Sequence, residues 1–491
     1  MKKAKLFLTV IALILALSLV ISGCGDNSKS SSGANAGQSA NYASLSLDTS
    51  DMFTDRDLEA GYDESEATKI TLSDTNANIE ITQAGTYIIT GSATDGTITV
   101  AASDSDKVQI VLNGVTLNSK TAAALYVKSA DKVFVTTVKG TNNTLSNGGS
   151  FDEVGDDNVD GAIFSKSDIV FNGEGTLTVN SPAAHGIVGK DDVKFTGGKY
   201  IIESASHGVD ANDSIRITNS TLKITSGKDG LHCDRDDDAK KGYVYIQSGT
   251  LDIDVDDDAI HATTTLQIAG GTFNIKAAEG LEATVVIIDD GTVSIEASDD
   301  GINAAKKFSG LTPVVVINGG NIKIVMGQGD TDGIDSNGDI EINGGTVDVT
   351  GNSSFDYDGT GTINGGTVIV NGSEVTTLPN QFAGGGPGGG MGGQGGPGGM
   401  RGAMPGGDSD TITSATPDGS DELPDMPGGG FDGSDRPGGQ FPGKPDFEDD
   451  ENGERPQKPQ SGKDGDGTGK PQKPRSNQDG ENGNTKSGKS A

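Results

Sequence analysis

A short phrase returns seven times between residues 185 and 336, and it constrains the fold more than any other feature. Each copy has a polar residue, a small residue, an aliphatic residue, a variable residue and another small residue, as in HGVDA at His207. The small residue at the second position marks the period. It stands at Gly186, Gly208, Gly230, Ala259, Gly280, Gly301 and Gly333, with spacings of 22, 22, 29, 21, 21 and 32. The two long spacings contain visible insertions, so the underlying unit is about 21–22 residues, which predicts a solenoid.

A strand-like segment follows each phrase. In IRITNSTLKIT, residues 215–225, apolar residues alternate with polar ones, which is the period of a β-strand. β-Branched residues dominate these segments, and Asn-Gly-Gly or Gly-Thr occurs at the bends between them. The sequence therefore predicts an all-β fold, a right-handed parallel β-helix whose coils lie about 4.8 Å apart.

Composition sets the boundaries of the predicted domains. We place the β-helix at residues 68–375, with irregular entry coils first and the first regular coil at Asp160. Residues 376–491 are rich in Gly, Pro, Asp and Lys, and this composition predicts a disordered tail. The tail could be a solvated spacer or an arm that contacts the cell wall.

The N-terminus has the pattern of an export signal. Lys2, Lys3 and Lys5 precede an apolar run, and Ser-Gly-Cys follows it at Cys24. This pattern resembles a bacterial lipoprotein signal at residues 1–23, after which Cys24 would be lipidated and would anchor the protein to the outer face of the cell membrane. An ordinary signal peptide or an uncleaved anchor is the alternative. Residues 24–67 are predicted to be a polar tether.

The charge of the chain narrows the choice of partners. The 491 residues carry a formal net charge of −35 and include no Trp. Such a surface repels nucleic acid, which we therefore exclude as a partner, and it attracts cations. We expect the protein to be a monomer.

Equivalent positions of successive coils should stack into rows. The variable fourth position of the phrase lies between two inward residues, so we expect it to point outward. Its row is Val188, Asp210, His232, His261, Glu282, Asn303 and Asp335. The first position gives a second row at the adjoining bend, namely His185, His207, Asp229, Asp258, Glu279, Asp300 and Asp332.

Stacked carboxylates repel one another unless cations bridge them, and calcium binds six to eight oxygen ligands in flexible geometry. The predicted calcium ligands are Asp229, Asp234, Asp236, Asp256, Asp257, Asp258, Asp156, Asp157, Asp160, Asp300 and Asp332. Any one of these residues could instead cap a turn, and their spacing matches no standard calcium motif. Zinc bound by His232 and His261 is the alternative, although stacked imidazoles also occur as structural filling.

Several segments in order carry a resemblance to a known family. They are AGTYIITG, VQIVLNGVTL, NTLSNG, AIFSKSDIVFNGEGTLTV and HGIVGKDDVKFTGG. Over roughly residues 70–372 the chain resembles secreted bacterial carbohydrate-binding β-helix proteins, which are similar in fold to polysaccharide lyases of the pectate lyase type. The resemblance implies an association with calcium and with cellulose or acidic sugars.

Three functions remain open at this point. A polysaccharide-binding protein would hold its ligand along the outward row, with Asp210, His232, His261, Glu282, Asn303 and Asp335 as the predicted contacts and Ca²⁺ as the bridge. A calcium-dependent lyase would need a base such as Arg235 or Lys240. A surface adhesin or wall spacer would need no sugar site. We expect binding without catalysis.

Overall fold

A computed structural model describes residues 44–152, 158–327 and 331–380. Within these ranges the chain winds into coils, and each regular coil contributes one strand to each of three parallel sheets. The predicted parallel β-helix is confirmed. Its right-handedness remains the expectation of the crossover rule. No helix in the described ranges has the length and apolar character needed to cross a membrane.

The first sheet contains the repeated phrase, and the chain then passes to the second and third sheets before it returns. The strands of the first sheet are Ile79–Ile81, Ile98–Ala101, Leu125–Ser129, Gly161–Ser165, His185–Gly189, Val209–Ala211, Leu231–Cys233, the first parts of Ile260–Ile268 and Leu281–Ile288, Ile302–Ala304, Asp332–Ser336 and Ser353–Tyr357.

The other two sheets complete each coil. The second contains Thr68–Leu72, the first parts of Gly85–Ala93 and Lys107–Ser119, Lys132–Thr137, Asp168–Gly173, Asp192–Phe195, Ser214–Ile217, Tyr243–Ile246, the last parts of Ile260–Ile268 and Leu281–Ile288, Val314–Ile317, Asp339–Ile342 and Gly361–Ile363. The third contains the last parts of Gly85–Ala93 and Lys107–Ser119, Asn142–Asn147, Thr176–Ser181, Lys199–Ser204, Ser220–Ser226, Gly249–Val255, Thr272–Ala277, Thr292–Ala297, Asn321–Met326, Thr346–Thr350 and Thr367–Val370, and Ser373–Val375 pairs with its last strand in antiparallel fashion.

The register between coils follows the spacing of the phrase. Val209 pairs with Leu231, Leu231 with Ile260 and Ile260 with Leu281. The longer step from Leu231 to Ile260 shows that the insertion leaves the stacking intact. Inward side chains such as Ile215 are fully buried, so the alternating residues form the core as predicted.

Close approach of the coils explains the small residue at the second position of the phrase. A Cβ atom added to Gly280 would lie 2.3 Å from the carbonyl oxygen of Gly301 on the next coil and 2.7 Å from a methyl group of Ile295. Gly280 also donates a backbone hydrogen bond of 2.9 Å to Asp300. The small residue thus allows the bends to stack tightly, which brings the first-position side chains of neighbouring coils together.

The second sheet is covered on its outer face by residues 44–58, which we call the N-terminal cover. Its helix, Asp55–Leu58, starts at the capping residue Thr54. Met52 packs on Tyr243 and Tyr245, where strand Tyr243–Ile246 is buried on both faces. Burial on both faces explains why this strand is apolar at consecutive positions instead of alternating.

Asp57 attaches the N-terminal cover to the sheet by charge. Its carboxylate is fully buried and lies 3.1 Å from Lys132 Nζ and 3.1 Å from Lys194 Nζ. The prediction of a polar tether over residues 24–67 did not anticipate this packing from residue 44 onward. The predicted signal, Cys24 and the tail beyond residue 380 lie outside the described residues.

Candidate functional site

The two predicted rows lie side by side along the first sheet. In the fourth-position row Asp210 pairs with His232, His261 with Glu282 and Asn303 with Asp335. We call the two rows together the polar ladder. Its members are His185, His207, Asp229, Asp258, Glu279, Asp300 and Asp332 with Asp210, His232, His261, Glu282, Asn303 and Asp335.

Four imidazoles form the N-terminal part of the polar ladder. The ring centroids of His185 and His207 are 5.1 Å apart, those of His207 and His232 are 4.2 Å apart, and those of His232 and His261 are 5.0 Å apart. Since the first two belong to the first-position row and the last two to the fourth-position row, the stack joins the rows.

Carboxylates form the central part of the polar ladder. Asp258, Glu279 and Glu282 can each offer one oxygen, and these three oxygens lie within 4.8 Å of one another. We call these three residues the carboxylate cluster. Asp258 and Glu282 are 7% and 3% exposed. Buried acids this close cannot all ionise without a compensating charge.

Two cationic groups reach the carboxylate cluster. His261 Nδ1 lies 2.7 Å from Glu282 Oε2 and 3.0 Å from Asp258 Oδ2, and Lys307 Nζ lies 2.6 Å from Glu282 Oε1. Burial disfavours the charged imidazole, but the hydrogen bonds to Asp258 and Glu282 outweigh it and raise the pKa of His261 to about 10. Charge is thereby balanced at Glu282 but not at Glu279.

The pKa values of the cluster show where the charge is unbalanced. Burial raises the pKa of Asp258, and the nearby charge of Glu282 adds to this. Burial also acts on Glu282, but hydrogen bonds from His261 and other partners hold its pKa below the usual value. At Glu279, burial and the charges of Glu282 and Asp258 raise the pKa to about 8. The cluster therefore favours an additional cation at neutral pH.

Asn303 extends the cluster toward the next coil. Its Nδ2 donates hydrogen bonds to Glu279 Oε2 at 3.1 Å and to Asp300 Oδ2 at 3.3 Å. The residue is only 9% exposed, and its Oδ1 is buried without a hydrogen-bond partner. An unpaired neutral oxygen beside two carboxylates is a suitable ligand for a hard cation.

The remaining predicted site residues fall into three groups. Asp300 and Asp332 continue the ladder. Burial and the charges of acidic neighbours, Asp300 foremost, raise the pKa of Asp335 to about 7. Asp160 lies next to the first member of the ladder, with Oδ2 3.9 Å from His185 Nε2. Four other residues are exposed and do not join the metal-ligand groups found among the described residues, namely Asp234, Asp236, Asp256 and Asp257. Asp156 and Asp157 lie outside the described residues.

Sequence reasoning missed two features of this region. Lys307 comes from the insertion at residues 306–313. No pattern in the sequence of this insertion indicated the contact of Lys307 with Glu282. The second feature is a groove of about 540 Å³ beside the ladder. Ala278 and Ser298 line this groove, and they precede Glu279 and Asp300 by one and two residues.

The groove offers both apolar and charged surface. Val325, 36% exposed, and Ala297 supply apolar atoms, while Lys276 and Asp254 form an ion pair of 3.4 Å at its edge. Sugars present apolar ring faces and polar rims, so a surface of this kind can hold a sugar chain alongside the ladder.

Comparison with known proteins identifies the family. The family model described as "Carbohydrate-binding domain-containing protein" matches residues 75–353, which is more than half of the chain. The chain belongs to this family. A family member from Acetivibrio thermocellus, "Carbohydrate-binding domain-containing protein", is 40% identical over 199 residues, covering 40% of this chain and 70% of the relative.

A solved structure also matches part of the present chain. It is described as the structure of the polysaccharide lyase-like protein from C. thermocellum, as a gadolinium derivative. The match has 28% sequence identity and a TM-score of 0.41, and it covers 49% of this chain and 96% of the other.

Proposed function

We propose that the present protein binds polysaccharide along the polar ladder and the groove beside it, with calcium held by the carboxylate cluster. The family supports carbohydrate binding, and the observation that carries the calcium assignment is the convergence of Asp258, Glu279 and Glu282 within 4.8 Å. Calcium prefers oxygen ligands, and this set provides carboxylate oxygens with the amide oxygen of Asn303 nearby.

Calcium would also reduce the electrostatic repulsion between the protein and an anionic ligand. A surface with a net charge of −35 repels a uronate polymer. A calcium ion bound at three carboxylates has coordination positions left over, since it takes six to eight oxygens. A uronate carboxylate or sugar hydroxyl lying in the groove could fill these positions, so the ion would bridge protein and ligand.

The contacts of Arg235 and Lys307 favour binding over elimination. A lyase needs a base that can accept a proton. The hydrogen bond and charge of Asp237 raise the pKa of Arg235, whose guanidinium also lies 3.1 Å from Asp213. Burial opposes the charge of Lys307, but Glu282 outweighs burial and raises its pKa. Both side chains are thus held in the protonated form.

We further propose that Cys24 is lipidated and anchors the protein to the outer face of the bacterial cell membrane. The basic start, the apolar run and the Ser-Gly-Cys sequence support this. Radioactive palmitate should label the wild-type protein in the native bacterium and should not label a Cys24→Ala variant. Equal labelling of both would refute the anchor.

A retention assay tests the sugar-binding proposal. The purified protein is passed over insoluble polygalacturonate and cellulose, with Ca²⁺ or with a chelator, while soluble unsaturated product is followed by ultraviolet absorbance. We expect retention that requires Ca²⁺, is lost in Glu279→Gln and is kept in the control Asp290→Asn. Asp290 is an exposed acid at another bend of the same coil.

Other outcomes would support the alternatives. A steady rise of unsaturated product that the chelator abolishes would make the protein a lyase. Retention that is the same with and without Ca²⁺ would refute the role of the carboxylate cluster. Absence of both retention and product on either polymer would favour an adhesin or wall spacer.

A further inference from the structure

The donor atoms of the polar ladder change in kind along the helix axis. All four histidines of the 491-residue chain lie in the N-terminal half of the ladder, at His185, His207, His232 and His261. Glu279 and the later members of the ladder provide oxygen. Imidazole nitrogen suits zinc and similar transition metals, while carboxylate oxygen suits calcium. One ladder therefore offers two chemically different environments for cations.

Three residues converge in the imidazole half. His207, Asp229 and His232 each offer one ligand atom, and these atoms lie within 4.8 Å of one another. His207 Nδ1 is 3.2 Å from Asp229 Oδ2, and His232 Nε2 is 3.8 Å from the same oxygen. In a tetrahedral zinc site with bonds near 2.0–2.1 Å, neighbouring ligand atoms are separated by about 3.3 Å, so the two separations at Asp229 are close to those around a shared ion. The rings of His207 and His232, whose planes differ by 15°, must turn to face it.

Asp210 orients one of these ligands. Its Oδ1 lies 2.8 Å from His232 Nδ1, and because an ionised carboxylate can only accept, the imidazole donates its Nδ1 proton there. The lone pair of His232 is then on Nε2, the nitrogen that faces Asp229. A carboxylate behind a histidine in this way is the usual support of a metal-binding imidazole.

The contact between His207 and Asp229 also fits a cation. His207 Nδ1 accepts a hydrogen bond of 3.3 Å from the backbone N–H of Asp229 while it faces the side-chain oxygen of the same residue. Two lone pairs that face each other at 3.2 Å repel unless a positive charge lies between them. A metal ion held by both atoms would supply this charge, and it would take the Nδ1 lone pair from the hydrogen bond with the backbone N–H of Asp229.

We propose that His207, Asp229 and His232 bind a divalent transition-metal ion of the zinc type, with Asp210 as a positioning residue. The site shares no residue with the carboxylate cluster, and a third group, Asp229, Asp258 and His261, lies between the two. Two nitrogens and one oxygen leave a fourth tetrahedral position for water or a ligand oxygen. The proposal does not depend on carbohydrate binding.

Metal titration of the full chain tests the site. The protein is freed of metal with a chelator and titrated with Zn²⁺ in competition with a chromophoric chelator, and with Co²⁺ while its visible absorption is recorded. We expect one tight site with the ligand-field bands of nitrogen and oxygen ligands. His232→Ala should abolish it, and Asp210→Asn should weaken it by about tenfold or more.

Two controls make the result specific. His185→Ala removes an imidazole that stacks on His207 but belongs to none of the three-residue groups, so binding should be kept. Glu279→Gln should lose calcium binding and keep the Co²⁺ spectrum, whereas His232→Ala should show the reverse. Failure of calcium binding alone would refute the proposed function and leave this site standing.

Specific outcomes would overturn the proposal. These are no Zn²⁺ or Co²⁺ binding by the metal-free protein, binding by His232→Ala that equals the wild type, or the intense near-ultraviolet band of a thiolate ligand. Circular dichroism of each variant in chelator checks that the β-helix has formed, so a loss of binding cannot be a loss of fold. Under the first outcome the imidazole stack has a packing role only.

Discussion

Substituting Glu279 by Gln should change stability in opposite directions with and without calcium. Burial and then the charges of Glu282 and Asp258 raise the pKa of Glu279 from 4.5 to about 8. The folded protein therefore holds a proton that the unfolded chain releases between these pH values. Stability should fall as pH rises through this window, and the penalty should be complete above pH 8 or so.

The size of the effect follows from the same shift. A difference of about 3.5 pKa units corresponds to at most about 5 kcal/mol, at about 1.4 kcal/mol per unit. Glu279 is only partly buried, so solvent screening reduces this, and we expect about 2 kcal/mol. Gln cannot ionise but can still accept the hydrogen bond from Asn303. In a β-helix of this size the gain corresponds to a rise of about 3 °C in Tm.

Thermal unfolding followed by circular dichroism measures the effect. In chelator, Glu279→Gln should be more stable than the wild type at pH 9 and equal to it near pH 4.5. With Ca²⁺ at a hundred times its Kd the wild type should gain about 2.7 kcal/mol, and the variant should gain little, so that their order is reversed.

The control variant separates this from a general charge effect. Asp290→Asn removes one exposed charge at another bend and should leave both the pH profile and the calcium response unchanged. The reasoning would be refuted if Glu279→Gln were less stable than the wild type at pH 9 in chelator. It would also be refuted if Ca²⁺ raised the Tm of both proteins equally.

Three further substitutions test the packing that places the ladder. Gly280→Ala puts a Cβ atom 2.3 Å from the carbonyl oxygen of Gly301 and should cost about 1–3 kcal/mol, seen as a lower Tm. Asp57→Ala leaves Lys194, 4% exposed, without this partner, and should cost about 3–5 kcal/mol in denaturant unfolding and speed proteolysis of the N-terminal cover. Asn343→Ala interrupts an exposed ladder of side-chain amides and should lower stability by at most about 1 kcal/mol, since water replaces the lost hydrogen bonds.

The stacking of the polar ladder could be predicted because it depends on local period. Alternating strands fix which side chains point inward, and the spacing of the small residues fixes which residues of successive coils meet. His232 therefore pairs with His261 across an insertion, as its position in the phrase predicts. Burial could not be predicted in the same way. Glu282, expected to be a sugar contact, is only 3% exposed, and His261 and Lys307 from the insertion on the next coil lie against it.

The N-terminal cover shows a second limit. Strand Val314–Ile317 is apolar at every position and is buried on both faces, unlike the alternating strands that the sequence analysis used. The sequence did not identify what covers the outer face, because Leu45 is about 270 residues away along the chain. Such contacts depend on the path of the chain over the completed solenoid.

The sequence alone determined the parallel β-helix, its period and the two rows of polar residues, because strand alternation and coil spacing are local properties of the chain. The tertiary structure decided which of the predicted acidic residues could share a cation. Asp258, Glu279 and Glu282 converge, whereas Asp234 and Asp256 remain exposed. These acidic residues differ because neighbouring coils and insertions set their burial and side-chain direction. Such contacts leave no local pattern in the sequence.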